Sequence, residues 1–371
     1  MCTRKLLGSS KKGKKLKIKN YISNKVKKKK YFSKKKLLCE ICGSGNCVDL
    51  INLGRVGKNC NYDYLPVSFC NTCELRFLNP RPTDKYFKNY YISSYRKKKN
   101  NNLPLDNFFD ESQIKRGQSV YNFFKNKINF RNGNMLDHGC AVGLTMLAWR
   151  DKGWNTIGID PNAQSVNYAR KKLRLNVKRF FGENMPSFKK KFNVILSLGS
   201  LEHSYDINKT IKKIKLNLIK NGNLIIRWRS DKMIGSPFEY YNINHFRYFT
   251  RYTWGILLKK YGFEDIKFFN KKVEGSDAYE YIVCTKKNKI SHKKIIVKKS
   301  YLNYFKRYTE KYKIICENLE KKINKFDFNK VNNYVNKNKI GLLFLKRKDA
   351  LRRFYKETKA FNKNFRKYYE D

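Results

Sequence analysis

The sequence predicts an α/β fold with a mostly parallel sheet. Between residues 134 and 228, short apolar runs of β character alternate with segments in which apolar residues recur at helical spacing. Two further apolar runs follow a last helical segment and predict a pair of strands at the end of the sheet. Strand–helix alternation of this kind is typical of a sheet that packs against helices.

Each predicted element has a local signal. The strands are predicted, in order, at Asn134–His138, Asn155–Asp160, Asn176–Phe181, Phe192–Leu198, Asn223–Trp228, Phe263–Asn270 and Ala278–Thr285. Helices are predicted at 110–127, 143–152, 162–173, 206–219 and 250–261. Pro161 suits the first turn of a helix, and the pair Asn221-Gly222 predicts the end of one. Thr250 and Gly262 bound the last helix of this series.

The composition excludes a wholly disordered chain and an integral membrane protein. The 371 residues are 41% hydrophobic and 15% aromatic, which is enough for a sizeable core. The longest stretches without charge span about ten residues, far short of the roughly 20 apolar residues that cross a bilayer. The basic N-terminus lacks the apolar segment of a secretory signal. We therefore expect a cytoplasmic protein without a transmembrane segment.

The net charge is strongly positive. Eighty-four Lys and Arg residues against 29 Asp and Glu residues give a formal net charge of +55 at pH 7. Such an excess favours contact with nucleic acid, an anionic membrane surface or phosphorylated substrates. The charge alone does not choose among these partners.

Changes in composition divide the chain into five parts. We expect a basic disordered arm (1–36), a cysteine-rich module (37–82), a linker with a helix (83–130), the α/β domain (131–288) and a basic helical extension (289–371). Tyr86, Tyr90, Tyr91 and Tyr95 lie in the linker and are expected either to pack there or to line a substrate cleft.

Six of the ten cysteines lie between residues 39 and 73. Cys39 and Cys42 form one CxxC pair, and Cys70 and Cys73 form a second. Two such pairs supply four thiolates for a tetrahedral Zn²⁺ site of the closed, structural kind. Buried free thiols are the alternative, but chance seldom produces paired spacing twice. A redox role is disfavoured because no thioredoxin-like strand–helix context surrounds either pair.

A turn of small residues follows the first predicted strand. In LDHGCAVG (Leu136–Gly143), small residues let the backbone approach a ligand at the start of a helix. The next strand ends in Asp160, whose carboxylate can accept hydrogen bonds from both hydroxyls of a ribose. Asp160 before a proline is also a common helix entry. The turn and the acid together favour a nucleoside-containing cofactor.

These motifs resemble, in order, those of class I S-adenosylmethionine (SAM)-dependent methyltransferases. The resemblance rests on LDHGCAVG, GIDP, GENMP (Gly182–Pro186), SLEHSYD (Ser200–Asp206), LIKNGNLIIRW and NHFRYFT (Asn244–Thr250). The segment with the CxxC pairs resembles a zinc-binding module often fused ahead of such enzymes in bacterial sugar and glycan modification. The resemblance implies a Rossmann-like methyltransferase sheet with an N-terminal zinc-ribbon-like module, and it gives no counterpart for the basic C-terminal extension.

The resemblance also implies which residues bind SAM. They are Asp137, Gly139, Cys140, Ala141, Gly143, Asp160, Glu183 and Asn184. Ala141 replaces the middle glycine of the family motif, and its small methyl group is expected to be tolerated.

Methyl transfer needs alignment and an acceptor that can lose a proton. His203, after the fourth strand, is the first candidate for general base, and His245 is the second. A purely structural hydrogen bond is the alternative for each of them. Glu202 is expected to orient His203 or contact the cofactor, or to be a solvated acid. Arg227 and Arg229 are expected to bind a phosphate or to face solvent.

The predicted function is SAM-dependent methyl transfer to a sugar, glycan or related phosphorylated small molecule. An RNA methyltransferase that binds RNA through the cysteine module and the basic tails is the alternative. A basic binding protein on an inactive SAM fold is a third hypothesis, which the intact Asp137, Gly139, Gly143 and Asp160 disfavour. RNA or an anionic membrane surface is a further expected partner of the basic tails.

Overall fold

The computed structural model describes residues 32–33, 35–55, 62–94, 110–128, 133–229, 241–270, 273–275 and 279–287, together with 314, 318–319, 321–323, 327–337 and 355. Almost all of the predicted basic arm and most of the predicted C-terminal extension lie outside these residues.

Two sheets organise the described residues. The strands are β1 (Cys47–Arg55), β2 (Tyr62–Cys70), β3 (Arg76–Leu78), β4 (Asn134–His138), β5 (Asn155–Ile159), β6 (Val177–Lys178), β7 (Phe192–Leu198), β8 (Leu218–Arg229), β9 (Arg247–Tyr248), β10 (Phe263–Phe269) and β11 (Tyr279–Lys286). The larger sheet has the order β10–β11–β8–β7–β4–β5–β6. Strands β4 to β8 run parallel, and β11 pairs antiparallel with both β8 and β10. The predicted α/β fold with its closing strand pair is confirmed.

Helices connect the strands close to where the sequence predicts them. They are α1 (Asp84–Asn89), α2 (Glu111–Phe124), α3 (Leu144–Arg150), α4 (Ala163–Lys171), α5 (Ile207–Asn217), α6 (Arg251–Lys260) and α7 (Phe328–Lys337). Side chains cap several of them, since Asp110, Asn162, Asp206 and Thr250 each accept a hydrogen bond from a backbone N–H of the first turn. Helix α7 is the part of the predicted helical extension that the structure describes as an element.

The predicted helix end at Asn221-Gly222 is wrong. Helix α5 ends at Asn217, and Asn221 lies inside β8 with a φ of 59°. Leu218 pairs with Phe192 whereas Asn223 pairs with Val194, so β8 carries extra residues at this point. The turn residues therefore form an irregularity in a strand, where a left-handed residue is equally well suited.

The smaller sheet joins the cysteine-rich module to the α/β domain. Its order is β1–β2–β3–β9, and all three pairings are antiparallel. Strands β1 to β3 come from the module, whereas β9 precedes α6 in the α/β domain. One apolar cluster also contains Ile41 and Phe77 of the module together with Leu136 of β4 and Trp254 of α6. The module is thus packed into the core of the α/β domain.

No helix among the described residues is both long enough and apolar enough to span a lipid bilayer.

Candidate active site and cysteine cluster

The turn after β4 contains three left-handed residues, Gly139, Ala141 and Gly143. Gly139 has a φ of 76°, and a Cβ there would lie 2.5 Å from the Cβ of Ser200. Ala141 has a φ of 53°, a conformation that costs a residue with a Cβ roughly 1–2 kcal/mol. The sequence analysis expected the small methyl group of Ala141 to be tolerated. The energetic cost of alanine at this position comes from its left-handed backbone conformation, not from the space that the methyl group occupies.

Asp160 ties the end of β5 to this turn. Its Oδ2 accepts a hydrogen bond of 2.9 Å from the backbone N–H of Ala141, and its Oδ1 accepts one of 2.9 Å from Asn162. Each carboxylate oxygen has a second lone pair for another donor. The contact with Asn162 places Asp160 at the entry of α4, and its role as a ligand-facing acid stays a prediction.

Asp137 is a buried acid at the end of β4. Burial, reinforced by the negative charge of Asp160, raises the pKa of its carboxyl from 3.8 to about 7. Arg116 of α2 acts in the opposite direction and lowers that pKa. Two carboxyl groups thus face one region of the molecule near the carboxyl ends of β4 and β5, where ligands of open α/β sheets bind.

These residues line a cavity of about 260 Å³. The expected cofactor residues Asp137, Gly139, Cys140, Ala141, Asp160 and Glu183 all line it, and so does His203. Burial raises the pKa of Glu183. Gly143 and Asn184 are not among the lining residues: Gly143 packs its turn against Leu175, and Asn184 is exposed.

Part of the wall comes from residues that the sequence analysis did not select. These are Gln113 and Arg116 of α2 and Phe87 of α1. Tyr91, one of the four linker tyrosines for which the sequence analysis left packing or a cleft open, also lines the cavity. Helix α2 approaches α3 closely, since a Cβ on Gly117 would lie 2.6 Å from the Thr145 carbonyl oxygen. The helical spacing of Gln113 and Arg116, on the face flanking Gly117, is the signal that could have identified them.

A hydrogen bond determines which ring nitrogen of His203 carries the lone pair. Its Nδ1 lies 2.7 Å from the backbone carbonyl oxygen of Asn244, which can only accept a hydrogen bond. Nδ1 must therefore hold the proton, and in the neutral ring Nε2 is the basic nitrogen. The ring also meets that of Tyr91 edge to face, at 6.0 Å between centroids.

The two other catalytic candidates are neighbours of His203. The His245 ring is 4.5 Å from the His203 ring, and neither His245 nor Glu202 lines the cavity. Burial lowers the pKa of His245 well below its usual value and raises that of Glu202. Among the residues that the structure describes, no donor reaches Glu202 Oε2. Neither residue is therefore placed to contact a ligand in the cavity directly.

His138 and Arg227 have structural partners. Burial lowers the pKa of His138 to about 4, and its Nδ1 lies 2.9 Å from Ser200 Oγ. Arg227 is buried, contacts Glu274 at 2.9 Å and stacks on the Tyr279 ring. Arg227 thus neither faces solvent nor has a free guanidinium for a phosphate.

The four predicted cysteine ligands come together. Their sulfur atoms all lie within 4.8 Å of one another, with 3.4 Å from Cys39 to Cys73 and 3.5 Å from Cys42 to Cys70. Tetrahedral zinc thiolates are separated by about 3.8 Å, whereas a disulfide needs about 2.0 Å. Hydrogen bonds from the Cys39 and Cys73 thiols lower the pKa of Cys70, which favours its thiolate. The set fits a Zn²⁺ ion.

The comparison with protein families decides the domain type. The family model described as a methyltransferase domain matches residues 109–267. The chain contains a SAM-dependent methyltransferase domain. The cavity fits that cofactor, because the Asp160 carboxylate at its wall can accept hydrogen bonds from ribose hydroxyls. The predicted methyltransferase fold is therefore confirmed.

The curated relatives match this chain over only part of their own length. The tRNA U34 carboxymethyltransferase of Nautilia profundicola is 28% identical over 166 residues, 41% of this chain and 54% of that protein. The ubiquinone biosynthesis O-methyltransferase of Pelagibacter ubique is 34% identical over 100 residues, 26% of this chain and 42% of that protein. The chain thus spans about half the length of these curated relatives. A solved SAM-dependent methyltransferase from Clostridium acetobutylicum has a TM-score of 0.40 at 14% identity, covering 52% of this chain and 96% of that one.

Proposed function

We propose that this chain is an enzyme that transfers a methyl group from SAM to an acceptor that loses a proton to His203. One observation carries the proposal: His203 lines the same cavity as Asp137 and Asp160, and its Nδ1 donates to a backbone carbonyl. The basic nitrogen of its neutral ring is therefore Nε2. A general base must meet this condition of geometry before its pKa matters.

In this proposal, different residues that line the cavity have different roles. When bound, SAM supplies an electrophilic methyl group. Asp160 would bind the ribose, and the turn that contains Gly139 and Ala141 would contact the cofactor with its backbone and small side chains. His203 would take the acceptor proton at Nε2, and the Asn244 carbonyl would stabilise the imidazolium that results.

The first acceptor class that we propose is a sugar, a glycan or a related phosphorylated small molecule. Two observations support this class. The N-terminal module resembles a zinc-binding module often fused to methyltransferases of bacterial sugar and glycan modification, and the cavity has a limited volume of about 260 Å³. Phe87, Tyr91 and Phe181 add aromatic faces, and Ser200 and Ser204 add hydroxyl groups. A small polar ring is compatible with such a mixed wall.

RNA is the second candidate acceptor. The formal net charge of +55 favours a polyanionic partner, because phosphate contacts dominate the affinity of proteins for nucleic acids. Two of the matched relatives are named as enzymes that modify tRNA. An RNA acceptor would have to present one small group to His203 in the cavity.

Methyl incorporation tests both classes. Purified protein and methyl-labelled SAM are added to a cell extract, which is then separated into RNA, glycan and small-molecule fractions. We expect label in the glycan or small-molecule fraction, and label in RNA would replace the first class by the second. His203→Gln should lower the rate of labelling by about 10²- to 10⁴-fold while SAM binding persists. A variant that still labels its fraction at the wild-type rate would contradict the role of His203.

We also propose that Cys39, Cys42, Cys70 and Cys73 hold one structural Zn²⁺ ion. Metal analysis of the purified protein should give one zinc per chain, and Cys73→Ser should lower that content. Cys47→Ser is the matched control, because Cys47 is a nearby thiol outside the four-sulfur group. Equal zinc content in both variants would contradict this ligand set.

A further inference from the structure

Glu40 connects the cysteine cluster to two buried arginines, Arg247 of the methyltransferase domain and Arg81 near the end of the cysteine-rich module. It lies between Cys39 and Cys42 in the first CxxC turn. Arg247 donates to it from Nε at 2.7 Å and from Nη2 at 2.5 Å, and Arg81 Nη2 lies 2.6 Å away. The side chain of Glu40 is 12% exposed, and those of Arg247 and Arg81 are 0% and 8% exposed. Charge-assisted bonds of this two-pronged kind fix geometry strongly.

The same two arginines hold the chain just after His203. Arg247 Nη1 donates to the carbonyl oxygen of Ser204 at 2.5 Å, and its Nη2 donates to that of Tyr205 at 3.0 Å. Arg81 Nη1 donates to the Tyr205 carbonyl at 2.6 Å. The short helical turn Leu201–His203 is thus followed directly by two carbonyl groups that the guanidiniums fix.

The His203 ring is held from the same side. Its Nδ1–H donates to the carbonyl oxygen of Asn244, which lies three residues before β9. Strand β9 pairs with β3 of the cysteine module, with Phe77 opposite Arg247. The His203 ring is therefore held through Asn244 and β9, and the backbone after it is held by Arg81 and Arg247. Both sets of contacts connect His203 to the cysteine module.

The CxxC turn is itself fixed to the domain. Asn208 of α5 donates to the Glu40 carbonyl oxygen at 2.9 Å, and Lys260 of α6 donates to the Ile41 carbonyl at 2.8 Å. With Cys39 and Cys42 bound to a common ion, the Glu40 side chain would have one direction. Loss of that constraint would leave two buried guanidiniums without a positioned carboxylate, which is a strongly unfavourable state.

We propose that Glu40, Arg81 and Arg247 are positioning residues that place His203, so that the cysteine cluster controls the geometry of the active site. This inference rests on the proposed role of His203 as general base. The cluster would then do more than stabilise its own module, because a change at its thiolates would reach the cavity through one carboxylate and two guanidiniums.

Histidine NMR tests this inference without knowledge of the acceptor. The chain has four histidines, so a ¹⁵N-histidine spectrum is simple and can be assigned with His→Gln variants. In Glu40→Gln we expect the hydrogen-bonded Nδ1–H signal of His203 to be lost and its ring signals to shift, while the His138 signals stay in place. Zinc removal from the wild type should produce the same change.

Glu74→Gln is the matched control. Glu74 is a buried acid that directly follows Cys73 of the same cluster, whereas Arg81 and Arg247 pair with Glu40. It should leave the His203 signals unchanged. Should Glu40→Gln fail to fold, Arg81→Lys keeps the positive charge but loses the guanidinium and should shift the same His203 signals.

The outcomes separate this inference from the proposed function. Folded Glu40→Gln or Arg81→Lys protein with wild-type His203 signals would overturn the inference. Once the acceptor fraction is known, methyl incorporation by Glu40→Gln should fall by about 10- to 100-fold, the cost of a misplaced catalytic group, with SAM affinity retained. A wild-type protein that binds no SAM would instead refute the proposed function and leave the His203 shift intact.

Discussion

The Nδ1–H of His203 donates a hydrogen bond of 2.7 Å to the backbone carbonyl of Asn244. This bond fixes the tautomer of the neutral ring and leaves Nε2 as its basic nitrogen. It also links the cavity to β9 and so to the smaller sheet, because Asn244 lies just before that strand.

His203→Gln should therefore lower methyl transfer by about 10²- to 10⁴-fold, the usual contribution of a general base. SAM affinity, measured by calorimetric titration, should remain because the cofactor side of the cavity is intact. His245→Gln is the control and should cost less, since His245 does not line the cavity. A larger loss of methyl transfer in His245→Gln than in His203→Gln would indicate that His245, and not His203, is the general base.

Asp160→Asn should weaken SAM binding by about tenfold or more, because a hydrogen bond to a charged group contributes roughly 1.5–3 kcal/mol. The asparagine keeps the size of the side chain but has one acceptor oxygen for the two backbone N–H groups that Asp160 now binds. Calorimetric titration with SAM measures the effect. Asp151→Asn, at an exposed acid beside Arg150, should leave the affinity unchanged; equal losses in both variants would contradict the assignment.

Asp137 should make stability depend on pH. Its pKa is raised from 3.8 to about 7 in the folded protein, so the folded state keeps a proton that the unfolded state loses. The contribution of Asp137 to the free energy of unfolding is therefore full below about pH 4, falls as pH rises to about 7 and is constant above that. Urea denaturation at pH 5 and pH 8 should show a smaller loss of stability in Asp137→Asn than in the wild type. Equal losses would show that Asp137 is ionised in the fold.

Ala141→Gly should stabilise the protein. Glycine adopts the φ of 53° without the steric cost that alanine has there, and its greater freedom in the unfolded chain offsets part of the gain. We expect a net gain of about 0.5–1 kcal/mol in urea denaturation. Ala148→Gly, in the interior of α3, should destabilise by about 1 kcal/mol or more. A loss of stability in Ala141→Gly would show that the turn is relaxed with alanine.

Much of the fold could be predicted because its signals are local. The strands around β4, β5 and β7 are short apolar runs, and their helices begin at capping residues such as Asn162 and Asp206. The CxxC pairs likewise predict their own assembly, since spacing alone places two thiolates on one turn. The Asn221-Gly222 turn was assigned to the wrong element because the same dipeptide suits a helix end and a strand irregularity.

The contacts that complete the site join distant parts of the chain and leave no such pattern. Glu40 meets Arg247 across 207 positions, and Arg227 meets Glu274 across 47. Charged residues of this kind look like surface residues in a sequence with so many lysines and arginines. Only the packing of the cysteine module against the sheet shows that they are buried.

Zinc removal should loosen one side of the large sheet more than the other. Cys39, Cys70 and Cys73 belong to the apolar cluster that contains Trp228 and Trp254, whereas Trp149 and Trp154 lie in a separate cluster. These are the four tryptophans of the chain. After chelation, acrylamide should quench the fluorescence of a variant retaining Trp228 and Trp254 more strongly than that of one retaining Trp149 and Trp154, with the other pair replaced by Phe. Equal increases in quenching would mean that the whole domain unfolds with the metal, and no increase in either variant would mean that the thiol cluster does not depend on zinc.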